Sequence, residues 1–528
     1  AEFLSSGSPV ARYADSSQSK TLTVNGTPID TDPPVGTVLV NGGASLVQEG
    51  YVELTMTATD ASQIVEMDVS NDNATWAVYG NESAIGWSVQ DPEVGGSSIE
   101  GTRTVYVRWK DTYGNVGTAS DSFNLDFVGP TGNVAIDASA AYTLDTGVTV
   151  SVSATDAGSG VAKVALSNDG VTWTERNYGS SQAWTLAGGN GTKTVHVKWR
   201  DGNGHWSSEK TDTILLDAAA PTGSVSIQGG ATFTRSTSVT VAVGATDAGS
   251  GMSQVALSND GVTFTTRAYA ASQAWTLAST NGARTVYVKW KDLAGNWSAV
   301  STDAITLDTV APTATAPTYR FVSGVAMSST ATPTKFAWTG TDATSGVARY
   351  EAALSTDGGA YASISTSLTS GSLTRNLASG HTYRLRLRAV DKAGLFGAWV
   401  YGATFTVSAY QETSTRITYT GTWSRPASSS YWSGYEKYAT AAGAKASFTF
   451  TGRAYALIGC VGPSRGSVKV YVNGVLTTTV STYAATTSCR RVLLALSWST
   501  AISRKVSIVV SGTSGHPRVD LDAIIAAY

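Results

Sequence analysis

The chain has 528 residues, 42% of them hydrophobic and 14% charged, which is enough apolar material for several packed domains and too much for a disordered chain. A formal net charge of −3, with Lys and Arg scattered instead of clustered, leaves no basic stripe for a phosphate backbone and argues against nucleic acid as a partner. No run of about 18 apolar residues is present, so no membrane span is expected, and the start at Ala1 without a basic-then-apolar leader reads as a mature secreted chain whose export signal has been removed.

Residues 1–32 read as an arm. Within it SQSKTLTVNGTPIDTD (17–32) has the pattern of the strand that closes each later repeat, as in AVSTDAITLDTVAP, yet no domain precedes it. Such an orphan strand exposes backbone groups that another subunit's sheet can pair. Leu22 and Val24 are therefore expected to enter a neighbouring copy, so that the chain self-associates head to tail into a homopolymer. A leader without fixed structure and the remnant of a longer array are the alternatives.

Four units of about ninety residues follow. TDAGSGVAKVALSNDGVTWT (155–174) returns as TDAGSGMSQVALSNDGVTFT (246–265), and aligning on the motif aspartate gives Asp60, Asp156, Asp247 and Asp342. The turn that follows recurs at Asp72, Asp169, Asp260 and Asp357. Within the units apolar residues alternate, as in VTVSVSATD (148–156) and KTVHVKWRD (193–201), the pattern of half-buried strands separated by Gly, Asn and Asp turns. Val195, Val197 and Trp199 then share the core face while His196, Lys198 and Arg200 share the other, and Trp290 is the matching core residue of the next unit. The fold class is all-β: four tandem two-sheet sandwiches at 33–127, 128–218, 219–309 and 310–408, and a separate β-domain at 409–528.

The order TDAGSGV, SNDGVTW, TVYVKWKDLAGN and ITLDTVAPT resembles the bacterial immunoglobulin-like repeats strung along secreted and cell-surface proteins. Unit one departs from it, with TDASQIVEMDVSNDN and an insertion around 81–100, and unit four reads closer to a fibronectin-type domain. The resemblance implies a spacer or binding platform and no chemistry of its own. In a sandwich of this kind the incoming linker meets the TDAGSG and DLAGN turns, so three carboxylates converge at each junction. They are Asp126, Asp156 and Asp201 for the second unit, Asp217, Asp247 and Asp292 for the third, and Asp308, Asp342 and Asp391 for the fourth. The first unit offers Asp30 or Asp32 with Asp60 and Asp111, and Asp72, Asp169 and Asp260 of each preceding unit are expected to face the same junctions. Clustered carboxylates and turn carbonyls suit a hard cation, which makes calcium the one cofactor expected. The competing reading is that Asp simply serves its own turn by accepting local backbone N–H bonds.

The last domain speaks differently. TGTW, the run AAGAKASFTFTG, GPSRGSVKVYVNG and a closing RVDLDAI resemble the jelly-roll modules, similar to galactose-binding-like and carbohydrate-binding domains, that end many bacterial extracellular proteins. Trp423, Tyr431, Trp432 and Tyr435 are the aromatic cluster from which a sugar face could be built, with core packing the competing reading for Trp423 and Trp498. Cys460 and Cys489, the only cysteines, suit one disulfide in an oxidising compartment, two buried thiols being the alternative.

No catalytic residues are assigned. GPSRG (462–466) satisfies G-x-S-x-G, but Ser464 precedes another strand instead of the helix that a nucleophile elbow needs. His196, His205, His381 and His516 are dispersed, and the aspartates recur with the repeat, as turns do. The expectation is an extracellular, non-enzymatic structural or adhesive surface protein, the subunit of a filament or layer built by strand exchange. The alternative is a carbohydrate-binding protein whose repeats display a glycan-recognising terminal domain.

Overall fold

A computed structural model describes residues 29–327 and 331–528. The arm residues Leu22 and Val24 lie outside the described residues. The fold is all-β, and the single helical element among the described residues is a three-residue 3-10 turn, Pro92–Val94, inside the unit-one insertion. Among the described residues no helix is long and apolar enough to cross a membrane.

The described chain forms two compact bodies. The first holds the chain up to Ala220 together with the turns Asp247–Gly251 and Asp292–Asn296, and the second holds the rest. In the first body each of two sandwiches is built alike. The second unit pairs Ser181–Thr185, Gly147–Thr155 and Thr131–Ile136 in one sheet, and Tyr142–Thr143, Lys210–Leu216, Gly191–Asp201, Val161–Ser167 and Thr174–Asn177 in the other. The alternation seen in the sequence decides which side chains enter. Val195, Val197 and Trp199 have no exposed surface, and Val164 lies opposite Trp199 on the neighbouring strand. The outward residues are not idle: the Lys198 ammonium sits 4.2 Å from the ring centre of Trp173 and 4.7 Å from that of Trp206.

In the second body the third unit repeats this plan around Trp290, whose indole N–H donates to the Val243 carbonyl at 3.1 Å. The fourth unit does not end at 408. Strand Phe405–Gln411 pairs Thr382–Asp391 at its start and Ala523–Ala527 over the rest of its length, from Val407 opposite Ala527 to Gln411 opposite Ala523. One sheet of eleven strands therefore runs from the fourth unit into the C-terminal domain, and the expected boundary between 408 and 409 falls within a strand.

The core is shared as well. Ala454, Ala456, Ile458, Ala523, Ile525 and Ala527 pack with Phe321, Phe336, Leu387 and Phe405 of the fourth unit. The alternate residues Tyr455, Leu457, Ile524 and Ala526 pack into the C-terminal domain's own core. A sheet covered on both faces explains why AYALIG and AIIAA are apolar without alternation. On the far side the strands Lys445–Val461 and Ser488–Val510 pair along most of their length, and Cys460 and Cys489 form a disulfide.

Because half of that sheet's apolar surface is covered by the fourth unit, a fragment of residues 409–528 should aggregate or melt broadly. Residues 310–528 should unfold in one calorimetric transition. Two independent transitions in the longer fragment would contradict a shared core.

Candidate functional site

Each junction is built from the linker upward. Asp126, Asp217 and Asp308, at the ends of closing strands, have no exposed surface. Their carboxylates accept a backbone N–H from the turn of the following unit: Ser159 to Asp126 at 2.8 Å, Ser250 to Asp217 at 2.7 Å and Ser345 to Asp308 at 3.1 Å. The repeated TDAGSG now has a local reason. A Cβ at Gly158 would collide with the Asp126 carboxylate and one at Gly249 with that of Asp217, while Gly160 and Gly251 take φ of 76° and 86° to close the turn.

The other two aspartates of each trio hold their own turns. Asp156 accepts from Gly160 N at 2.7 Å, Asp247 from Gly251 N at 2.8 Å and Asp342 from Gly346 N at 2.8 Å. Asp201 accepts from Gly204 N at 2.6 Å and His205 N at 2.9 Å, and Asp292 from Gly295 N at 2.6 Å. Asp111 holds Tyr113 N at 2.8 Å, and Asp60 holds Ser62 N at 2.7 Å. Four residues after the last aspartate a side chain completes the cluster: Asn115 and Asn296 donate to the linker carbonyls of Asp30 and Asp217 at 3.0 and 2.7 Å.

Carboxylates meet at these junctions, though at the second unit the groupings differ from the expected Asp126, Asp156 and Asp201. Ligand atoms of Asp30, Asp60 and Asp111 lie within 4.8 Å of one another, as do those of Asp217, Asp247 and Asp292, and those of Glu100, Asp126 and Asp156. Glu100 went unnoticed in the sequence because it lies in the insertion, outside the repeat register. Most carboxylate oxygens serve local N–H groups. Among the described residues, however, Asp30 Oδ2, Asp126 Oδ1 and Asp391 Oδ2 are buried without a hydrogen-bond partner. Burial, with the neighbouring charges of Asp126, Asp201 and Glu100, pushes the Asp156 carboxyl up; burial, with Asp308 and Asp342, does the same to Asp391. Asp72, Asp169 and Asp260 instead cap their own turns, each accepting two backbone N–H groups at 2.7–2.8 Å, and all three carboxyls are held below the usual range by those bonds and a serine hydroxyl.

In the C-terminal domain the four aromatic candidates do not share an exposed face. Tyr431 is buried, Trp432 packs half-buried toward the fourth unit's core and Trp423 toward the domain's own core. Tyr435 is exposed, and the Arg425 guanidinium lies 3.9 Å from its ring centre. Trp498 packs half-buried on Phe450. Ser464 sits in an exposed turn between strands Lys445–Val461 and Ser467–Val472, with no helix after it.

Beneath these aromatics lies a buried charged network that the sequence pattern did not reveal. Arg465 Nε bonds Asp520 Oδ2 at 2.7 Å, Arg518 bridges Asp520 and Glu436, and Asp522 accepts the Trp432 N–H at 2.9 Å. Burial pushes Glu436 up, with Asp520 adding to it, and burial pushes Asp522 up to about 7.

Two consequences are measurable. Gly249→Ala should destabilise the Asp217 junction by about 1–3 kcal/mol, as overpacking does, and expose the 217–221 linker to limited proteolysis while Trp290 fluorescence stays native. For Asp522 the folded chain keeps a proton that the unfolded chain loses near 3.8, so this group's stabilisation is full at low pH and falls away as pH rises through about 7. Asp522→Asn should therefore gain thermal stability over the parent at pH 8 and match it near pH 4; identical pH profiles would refute the assignment.

No protein-family model matches the chain, and no curated protein matches it. Among solved structures it is similar to a tetra-tandem repeat from the extending region of a large adhesion protein, at 16% identity over 70% of this chain and 98% of that one, TM-score 0.28. It is also similar to a solved chain from a 1.5-MDa bacterial ice-binding adhesin, at 18% identity over 53% of this chain and 98% of that solved chain, TM-score 0.30. A third likeness is to titin domains A168–A170, at 14% identity over 52% and 98%, TM-score 0.26. These superpositions are too loose to add to what the sheets and the junctions themselves show.

Proposed function

We propose that the chain is an extracellular structural and adhesive protein in which successive sandwiches are clamped at acidic junctions and calcium neutralises the clamp. The observation that carries this reading is the linker carboxylate of Asp126, Asp217 or Asp308, fully buried and bonded into the next unit's turn, repeated at successive junctions. A linker held in this way transmits force or position from one unit to the next, whereas a linker free to swivel does not. The disulfide supports an oxidising, extracellular setting. Calcium is supported by the unpartnered oxygens of Asp30 and Asp391 and by the burial and neighbouring carboxylates that raise Asp391.

Self-association through the strand pattern at 17–32 would give the spacer a filament form. Carbohydrate binding stays the alternative role for the terminal domain, and residues 310–528 are the fragment on which a glycan array should be run, because the fourth unit covers part of that domain's core.

Calcium added to the chelated full chain should raise its thermal midpoint, since a ligand bound only by the folded state stabilises it. Asp247→Ala, which also loosens its own turn, should shrink the rise measured from that variant's own calcium-free midpoint. An unchanged midpoint across millimolar calcium would remove the cation from this reading. Sedimentation of the full chain against one lacking residues 1–30 tests assembly, with a monomer in both cases counting against the filament.

A further inference from the structure

The second unit's junction differs from its neighbours in one side chain. Where the first and third units place Asn115 and Asn296, four residues after Asp111 and Asp292, the second places His205 after Asp201. The substitution changes the chemistry of the cluster from oxygen donors alone to oxygen and imidazole nitrogen.

His205 Nδ1 lies 3.0 Å from Asp201 Oδ2 and 3.8 Å from Asp126 Oδ1. One ligand atom from each of the three residues falls within 4.8 Å of the others. Both carboxylates are fully buried, while the imidazole retains about a third of its surface, which leaves a side open to solvent. The positions are fixed from behind: Asp201 Oδ1 accepts two turn N–H groups, Asp126 Oδ2 accepts from Ser159 N, and Asn203 Nδ2 donates to the Asp126 carbonyl at 3.2 Å. What those bonds leave over is one oxygen of each carboxylate and one ring nitrogen. Asp126 Oδ1 has no hydrogen-bond partner although the side chain is fully buried.

A histidine that merely caps Asp201 satisfies Asp201 Oδ2 and leaves Asp126 Oδ1 at ion-pair distance but without a hydrogen bond. Four ionisable side chains meet Asp126, namely Glu100, Asp156, Asp201 and His205, and only the histidine can carry positive charge. We propose that Asp126, Asp201 and His205 form a site for a divalent first-row transition cation of the zinc class, with a fourth position open to water. Metal–ligand bonds of about 2.0–2.1 Å in tetrahedral geometry put neighbouring donor atoms about 3.3 Å apart. The 3.0 and 3.8 Å separations from the imidazole nitrogen bracket that value, and all three ligand atoms lie within 4.8 Å of one another. Imidazole nitrogen with carboxylate oxygen suits zinc better than calcium, which takes six to eight oxygens. Binding at Nδ1 displaces any proton held there and leaves the imidazole neutral with its hydrogen on Nε2. The site goes beyond the calcium reading and does not depend on it.

The test uses the full chain, freed of metal by dialysis against chelator and titrated calorimetrically with zinc chloride. His205→Asn is the decisive variant, because Asn already fills the equivalent place in the first and third units and the fold accommodates it there. The expected result is a loss of roughly 100-fold or more in the affinity of one zinc per chain, more than outer-shell changes usually cost. Asp126→Asn should weaken the same zinc while His205 remains. Cobalt(II) should give a visible ligand-field absorption that His205→Asn abolishes, and the calcium response of the third and fourth junctions should be unchanged. His196, paired with Glu209, and His381, paired with Asp357, belong to other places, so zinc held there survives the substitution. Zinc affinity and stoichiometry that do not change in His205→Asn, or a full chain that takes up no zinc, would overturn the proposal.

Discussion

A buried carboxylate at the end of each closing strand is the constraint on which the shape of the turn beside it depends. Asp126 cannot leave water without partners, since an unpaired charge in the interior costs several kcal/mol. The turn of the next unit supplies them, with Ser159 N–H as donor and Gly158 as the space in which the carboxylate sits. The same solution appears at Asp217 with Ser250 and Gly249. Linker and turn are thus mutually required, and the turn sequence repeats because the linker it receives repeats.

That constraint also concentrates negative charge. Once the linker aspartate is buried against two turns that each carry an aspartate for their own closure, three carboxylates share a space a few ångströms wide. The cluster is a by-product of good turn chemistry, yet its electrostatics are real: Asp156 and Asp391 hold their protons more tightly than exposed aspartates do. A cation, a proton or a nearby imidazole can relieve the repulsion. The junctions differ in which of these they offer, through Asn115, His205, Asn296 and Leu395 at one equivalent position.

The C-terminal domain follows a different logic. It is joined to the fourth unit by a strand common to both and by a sheet buried on its two faces, so its stability is tied to its neighbour. Its charges are paired in the interior, with Asp520 between Arg465 and Arg518, an arrangement whose removal on one side leaves the other stranded.

The sequence by itself determined the all-β class, the repeats and the inward face of each strand, because alternation and turn residues are local and period-two patterns map directly onto a sheet. Val195, Val197 and Trp199 were legible for that reason. Tertiary structure alone decided which oxygens stayed unpartnered, that Glu100 and His205 join Asp126, that Tyr431 is buried and that the strand at 405–411 serves two domains. Each of these depends on segments distant in sequence meeting in space. The unbroken apolar runs AYALIG and AIIAA did carry the signal of two-sided burial, but a run alone does not say which domain will cover its second face.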